Sequence, residues 1–198
     1  MTELSAVSKL ALESALTEPS AYTEVKTILE KPVIRQSAAA GWNDAAYTLT
    51  TAQSGALVLL DKDEATAVTL PAIVASDIGT TFTFMQTLAS DEDRYITTAY
   101  DNDYLIGSIV LLPSAVWASG TAQDGLAANL LAASGTDVSI TFDDNLANGA
   151  GGVGSTVTLT AILTGNIAAS GGAKAVWAVT GQMFTADPNS DGTAVFTA

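Results

Sequence analysis

Downstream of residue 41 the chain alternates apolar and polar residues with a period of two, and this pattern constrains the fold more than any other. Residues 138–142 and 157–161 alternate throughout, and residues 81–85 place both of their phenylalanines on one side. Successive side chains of a strand point to opposite faces, so these runs predict strands with one buried face. Turns rich in Gly, Asn and Asp separate them. The spacing of the turns is typical of an antiparallel sandwich or a small barrel, and we predict a mainly β body with an antiparallel β-sandwich, jelly-roll-like fold.

The clearest local signal lies in residues 56–71. An apolar run at 56–60 is followed by the charged turn Asp61-Lys62-Asp63-Glu64 and by a second alternating run that ends at Pro71. Two such runs joined by a short polar turn predict a β-hairpin. Residues 127–133, by contrast, can be read either as a short helix or as a loop.

The first 36 residues follow a different pattern. Apolar residues recur there at helical spacing in two segments, namely Leu4, Val7 and Leu10, then Val25, Ile28 and Leu29. The first segment predicts a helix that ends near Pro19. The second, within residues 20–30, fits a short helix and fits a strand nearly as well. We predict a partly helical N-terminal arm.

Charge separates this arm from the rest of the chain. Residues 1–36 hold four cations and five glutamates, a net charge of −1, whereas residues 37–198 hold three cations and sixteen acids, a net charge of −13. We predict an arm at 1–36, a hinge of small residues at 37–41 and a β body at 42–198. Because a short helix is marginal alone in water, the arm needs a surface, either on its own body or on a neighbouring subunit.

Composition excludes several kinds of chemistry. The chain has no cysteine and no histidine, which excludes disulfides, Cys/His zinc sites and catalytic pairs that use histidine. The net charge of −14 argues against nucleic acids and anionic membranes as partners. No signal peptide or membrane-spanning segment is readable, so we expect synthesis in the cytosol.

Two motifs suggest ligand binding. Residues 149–154 match G-x-G-x-x-G, but a threonine-rich strand follows in place of a helix, so we predict a flexible hairpin loop. Asp187, Asn189 and Asp191 are spaced like the first ligands of a calcium loop, but the glutamate expected at its twelfth position is replaced by Ala198. An ordinary turn and a calcium site both remain open there.

The other acidic clusters, at 61–64, 91–93, 101–103 and 143–144, all lie at predicted turns. We predict no catalytic carboxylates and no enzymatic activity, although a glycan-degrading enzyme has also to be considered. Three tryptophans, Trp42, Trp117 and Trp177, are expected to be core or interface anchors rather than platforms for sugars.

Several short motifs resemble a module of tailed-bacteriophage virion proteins. They are TLTTAQSG at 48–55, AVTLPA at 67–72, Gly79 and FTF at 82–84. Such proteins, especially those of marine phages, often continue with a threonine-rich strand and a Trp-x-Val-x-Gly element, here at 156–163 and 177–181. The resemblance covers most of residues 42–186 and leaves the arm uncovered. Such modules occur in capsid decoration (cement) proteins, head-fibre proteins and tail-associated proteins.

The resemblance implies a structural virion protein that decorates the outside of a phage head and stabilises the shell. It would be located on the capsid surface after assembly in the host cytoplasm, with the major capsid protein and further copies of itself, as a homotrimer, as partners. The arm would be the anchor, with Leu4, Val7, Leu10, Val25, Ile28, Leu29 and Arg35 as capsid-binding residues. The alternative is a tail- or fibre-associated protein that binds a receptor or glycan.

Overall fold

The computed structural model describes residues 32–36, 46–90, 92–101, 103–113, 129–133, 136–143, 150–164, 175–185 and 195–198. The chain divides after Pro32 into two units, Met1–Pro32 and Val33–Ala198. All strands given below belong to the second unit, and their predominance confirms a mainly β body. The predicted helices at residues 3–18 and 20–30 lie outside the described residues.

Twelve strands are found within the described ranges, and they are β1 (Val33–Arg35), β2 (Tyr47–Thr48), β3 (Leu57–Leu60), β4 (Thr66–Thr69), β5 (Thr81–Gln86), β6 (Arg94–Thr97), β7 (Tyr104–Pro113), β8 (Asn129–Ala132), β9 (Ser139–Phe142), β10 (Thr156–Thr164), β11 (Ala175–Thr185) and β12 (Phe196–Thr197). Short 3-10 helices cover Thr51–Gln53 and Ala75–Asp77. One sheet has the order β1-β3-β5-β10-β11-β7-β8, and the other has the order β12-β9-β6-β4-β2.

The first six strands alternate between the two sheets. Strands β1, β3 and β5 are parallel neighbours in the seven-stranded sheet, where Val33 pairs with Leu57 and Leu57 with Thr83. Strands β2, β4 and β6 are parallel neighbours in the five-stranded sheet, where Val68 pairs with both Tyr47 and Ile96. Each turn of the chain therefore adds one strand to each sheet, and the polypeptide forms a coil.

The predicted hairpin at residues 56–71 is wrong. Strands β3 and β4 show the expected alternation, with Val58, Leu60, Thr66 and Val68 buried, but they belong to different sheets. The segment between them is an arch from one sheet to the other. An arch and a hairpin both bury one face of each strand, so hydrophobic periodicity is the same for both.

The prediction of an antiparallel body is also wrong in part, because five of the ten strand pairings in the described residues are parallel. The antiparallel pairings involve the later strands: β10 lies between β5 and β11, and β9 lies between β6 and β12. Residues 129–132, which we expected to be helix or loop, form edge strand β8 and pair with β7.

Residues 33–36, which we assigned to the arm, lie in the unit Val33–Ala198. Strand β1 pairs with β3, and the backbone N–H of Gln36 donates to the carbonyl oxygen of Leu59 at 3.1 Å. Parallel strands need a long connection between them, and here the connection between β1 and β3 passes through β2 of the other sheet.

Buried side chains from both sheets form one hydrophobic core. Phe82 and Trp177 come from the seven-stranded sheet, and Ile140 and Phe142 come from the five-stranded one. The rings of Phe82 and Trp177 are 6.2 Å apart between centroids, a tilted contact that contributes about 0.5–1.5 kcal/mol beyond its buried area. Trp177 is therefore a core residue, as expected, whereas residues 42 and 117 lie outside the described ranges.

The arch between β3 and β4 is held by a buried cation. Arg94 of β6 is 1% exposed, and its Nη2 donates a hydrogen bond to the carbonyl oxygen of Lys62. Burial lowers the pKa of Arg94 because it disfavours the charged form, while the carboxylates of Asp63 and Asp61 act in the opposite direction. The guanidinium thus ties the five-stranded sheet to the charged turn.

We expect Arg94→Ala to lower the free energy of unfolding by about 1.5–3 kcal/mol, because it removes a buried hydrogen bond from a charged donor to the carbonyl oxygen of Lys62. Lys62→Ala is the control, since the Lys62–Glu64 ion pair at 2.6 Å joins partly exposed side chains and contributes about 0–1 kcal/mol. Urea denaturation measures both variants. Equal losses in the two would contradict the role given to Arg94.

Candidate functional site

The outer face of the seven-stranded sheet, opposite the hydrophobic core, has side chains aligned in rows by the strand register. One row crosses all seven strands and consists of Val33, Leu57, Thr83, Thr158, Thr180, Ser108 and Ala132. The next consists of Arg35, Leu59, Met85, Thr156, Gln182, Val110 and Leu130. A shorter row consists of Thr81, Thr160, Ala178 and Ile106. All of these residues are half-buried or exposed, and together they are called the outer face below.

Threonine hydroxyls at the centre of the outer face bond to one another. The Oγ1 atoms of Thr81 and Thr160 are 3.1 Å apart, and those of Thr83 and Thr158 are also 3.1 Å apart. These are cross-strand pairs, in which threonines on neighbouring strands stabilise the sheet. The hydroxyls therefore retain a hydrogen-bond partner when water is removed from the face.

A shallow groove of about 440 Å³ lies on this face, and its lining residues are Val110, Thr156, Thr158, Thr180, Gly181 and Gln182. Its volume is in the range of small-molecule sites, about 300–1,000 Å³. None of the lining side chains is an acid, a base or an activated nucleophile, so the groove can hold an uncharged partner but supplies no acid–base catalyst. An added Cβ at Gly181 would lie 2.3 Å from the carbonyl oxygen of Thr156, which explains the missing side chain at this position.

A second candidate is an acidic cluster at one end of the five-stranded sheet. The pairing of Arg94 with Phe142 brings Asp93 next to Asp143, which is 4% exposed. The hydroxyl of Tyr95 donates to Oδ2 of Asp93. A hydrogen bond from Asp143 and then that from Tyr95 hold the pKa of Asp93 below its ordinary value, against the opposing effect of burial. The side chains of Asp93, Asp143 and Tyr95 therefore form one hydrogen-bonded cluster at this end of the sheet.

This cluster does not have the geometry of a glycosidase. In such enzymes the two carboxyl groups flank the scissile bond and are about 5–9.5 Å apart. Here the side chains of Asp93 and Asp143 are hydrogen-bonded to each other, and the hydroxyl of Tyr95 also donates a hydrogen bond to Asp93. The arrangement secures the ends of β6 and β9.

Tyr95 gives the fold a measurable dependence on alkaline pH. Its pKa is raised to about 12 from 10.0 by the hydrogen bond to Asp93, by burial and by the nearby carboxylates. Because the folded-state pKa is raised, the protonated Tyr95 contributes its full stabilisation below pH 10, and this contribution is lost as the pH rises through 12.

We expect urea denaturation to show a steeper loss of stability between these pH values for the wild type than for Tyr95→Phe. Identical slopes would contradict the hydrogen bond.

Residues 150–154 of the glycine motif are part of the scaffold, and residue 149 lies outside the described ranges. The N–H groups of Gly151 and Gly152 both donate to the carbonyl oxygen of Phe184 at 2.9 Å, and that of Gly154 donates to Gln86 at 2.9 Å. Strand β10 follows, so the dinucleotide fingerprint does not apply. Residues 150–155 are a loop, as expected, but the chain passes here from the five-stranded to the seven-stranded sheet, so the loop does not close a hairpin.

Of the expected capsid-binding residues, only Arg35 is described. It lies in β1, and its Nε donates to Oδ2 of Asp61 at 2.6 Å, with 58% of the Arg35 side chain exposed against 7% of the Asp61 side chain. The other expected residues lie outside the described ranges, as do those of the calcium-like motif, and these are Leu4, Val7, Leu10, Val25, Ile28, Leu29, Asp187, Asn189 and Asp191.

Sequence reasoning placed Asp103 at a turn and missed its structural role. This carboxylate is buried, and its Oδ1 accepts a hydrogen bond of 2.7 Å from the backbone N–H of Ala175. It therefore joins the start of β11 to the turn before β7. Within the described ranges no group of three or more acidic residues could hold a metal ion. Across the same ranges, no helix is long and apolar enough to cross a membrane.

Comparison with known proteins adds no relative. No protein-family model matches the chain, and no match was found among the curated proteins or among the solved structures.

Proposed function

We propose that this chain is a structural virion protein, a capsid decoration (cement) protein that binds the outside of a phage head and stabilises the shell. The sequence motifs within residues 42–186 suggest the class. One observation supports separate roles for the arm and the body. The chain divides after Pro32, and the unit Val33–Ala198 contains a hydrophobic core formed by two sheets. A unit with its own core needs no arm to fold, which leaves the arm available for another surface.

In this proposal the two sheets face each other as a sandwich, and the arm is partly helical and contacts the major capsid protein. The residues that would bury their side chains there are Leu4, Val7, Leu10, Val25, Ile28 and Leu29. Full burial of one such side chain contributes about 1.5–3 kcal/mol. Arg35 flanks this segment, and its exposed guanidinium is already paired with Asp61.

Binding of this protein would stabilise the shell because binding and shell assembly are coupled equilibria. A protein that binds the assembled shell more tightly than free capsid subunits shifts the equilibrium towards the shell. This role requires no cofactor and no catalysis. The proposed location is the capsid surface, reached by assembly in the host cytoplasm, with a homotrimer as the decorating unit.

Removal of residues 1–32 tests the anchor more cleanly than removal of the whole predicted arm, because it leaves β1 paired with β3. We expect the truncated protein to unfold cooperatively in urea and to lose sedimentation with undecorated heads. Leu10→Asp in the full chain should also weaken sedimentation, whereas Leu88→Asp, at an exposed position of the body, should not. Full binding by the truncated protein would contradict the anchor.

A tail- or fibre-associated receptor- or glycan-binding protein is the second candidate. The groove beside Thr158 and Thr180 favours it, since an uncharged groove of about 440 Å³ could accept a sugar. Copy number separates the two candidates. Stained gels of purified particles should show an amount comparable with the major capsid protein for decoration, and far less for a tail component.

A further inference from the structure

We propose that the outer face is the surface through which copies of this chain associate with one another. It spans seven strands, which is about 29 Å at a spacing of about 4.8 Å between neighbouring strands. Its three rows hold eighteen residues. A stable interface takes about 20–30 residues from each partner, so the outer face supplies most of what one interface needs.

Charge determines what kind of partner fits this face. The chain has a net charge of −14, yet Arg35 is the single ionisable residue among the eighteen, and its Nε is bonded to Asp61. A basic partner would meet no carboxylate there. Two copies of the chain can approach through this face without bringing their carboxylates together. Contact through an acidic surface would instead place like charges side by side, which is unfavourable. The fitting partner is an uncharged surface, and the chain itself provides one.

The hydrogen bonds on the face favour a protein surface over a sugar. Because Thr81 bonds Thr160 and Thr83 bonds Thr158, covering these hydroxyls leaves them partnered and lowers the cost of removing water. Apolar residues lie towards both sides of the face, with Val33 on β1 and Leu57 on β3 at one side and with Leu130, which is 68% exposed, on β8 at the other. Arg35, which is paired with Asp61, is the exception on β1. A face whose central threonine hydroxyls are paired and whose flanks are mainly apolar is suited to contact another sheet without water in between.

This inference supplies the contact surface for the self-association that is part of the proposed function. It does not depend on the arm or on capsid binding, because every residue of the face belongs to the unit Val33–Ala198. Its test uses purified protein without capsids. Failure of this inference and failure of the capsid assignment are therefore distinguishable.

Sedimentation equilibrium of the full chain tests the proposal. We expect the wild type to have a mass that is a multiple of 20.1 kDa. Thr180→Glu and Gln182→Glu each place a carboxylate on the exposed centre of the face, and each should raise the dissociation constant at least about tenfold. High salt should partly restore assembly because it screens the introduced charges. Thr48→Glu is the matched control, an exposed strand threonine of the other sheet, and should assemble like the wild type.

Circular dichroism establishes that each variant is folded, and Gln182→Glu, which is nearly isosteric, carries the test if Thr180→Glu does not fold. The proposal is overturned if the wild type stays monomeric at its highest soluble concentration. It is equally overturned if both face variants assemble like the wild type, or if Thr48→Glu disrupts assembly as strongly as they do. Binding of free oligosaccharides by a monomeric wild type would assign the groove to a sugar instead.

Discussion

The burial of one face of every central strand in a single core shared by two sheets is the constraint on which the rest of the structure depends. Most strands that supply this core alternate between buried and exposed positions, although all four residues of β9 are buried. From β1 to β6 the chain adds strands to the two sheets in turn. Because the inward side chains form the core, they are mostly apolar, whereas the outward side chains can be polar or apolar. The outer face is the consequence, and its threonines are the polar half of the same alternation.

Charged groups mark the points where the chain leaves one sheet for the other. Arg94 holds the arch after β3 through the carbonyl oxygen of Lys62, and Asp103 secures the start of β11. The pair Asp93 and Asp143 joins the ends of β6 and β9. From the sequence, the acids among these residues were predicted to lie at turns. Their contacts assign them to the scaffold, since buried charges persist only where partners compensate the loss of water.

The sequence predicted the strands well and their partners poorly, for a physical reason. Alternation in residues 81–85 and 157–161 reports which side chains are buried, and these residues do form β5 and part of β10. Alternation carries no information on whether a strand pairs with the next one or with the one after it. Residues 56–71 therefore resembled a hairpin although β3 and β4 lie in different sheets. The outer face was missed because it exists only when β5, β10 and β11 are placed in register. The coil was also hidden because its parallel strands VIR, LVLL and TFTFMQ have no identical residues at paired positions.

In the proposed function, residues 1–32 would bind the shell, and the unit Val33–Ala198 would supply an exposed body that associates with its own copies. Electron cryo-microscopy of virions that carry this protein, compared with virions that lack it, tests this most directly. The account predicts that the difference density lies on the outside of the head at repeated lattice positions, as clustered bodies joined to the shell by thin connections. Difference density confined to the tail or fibres would contradict it.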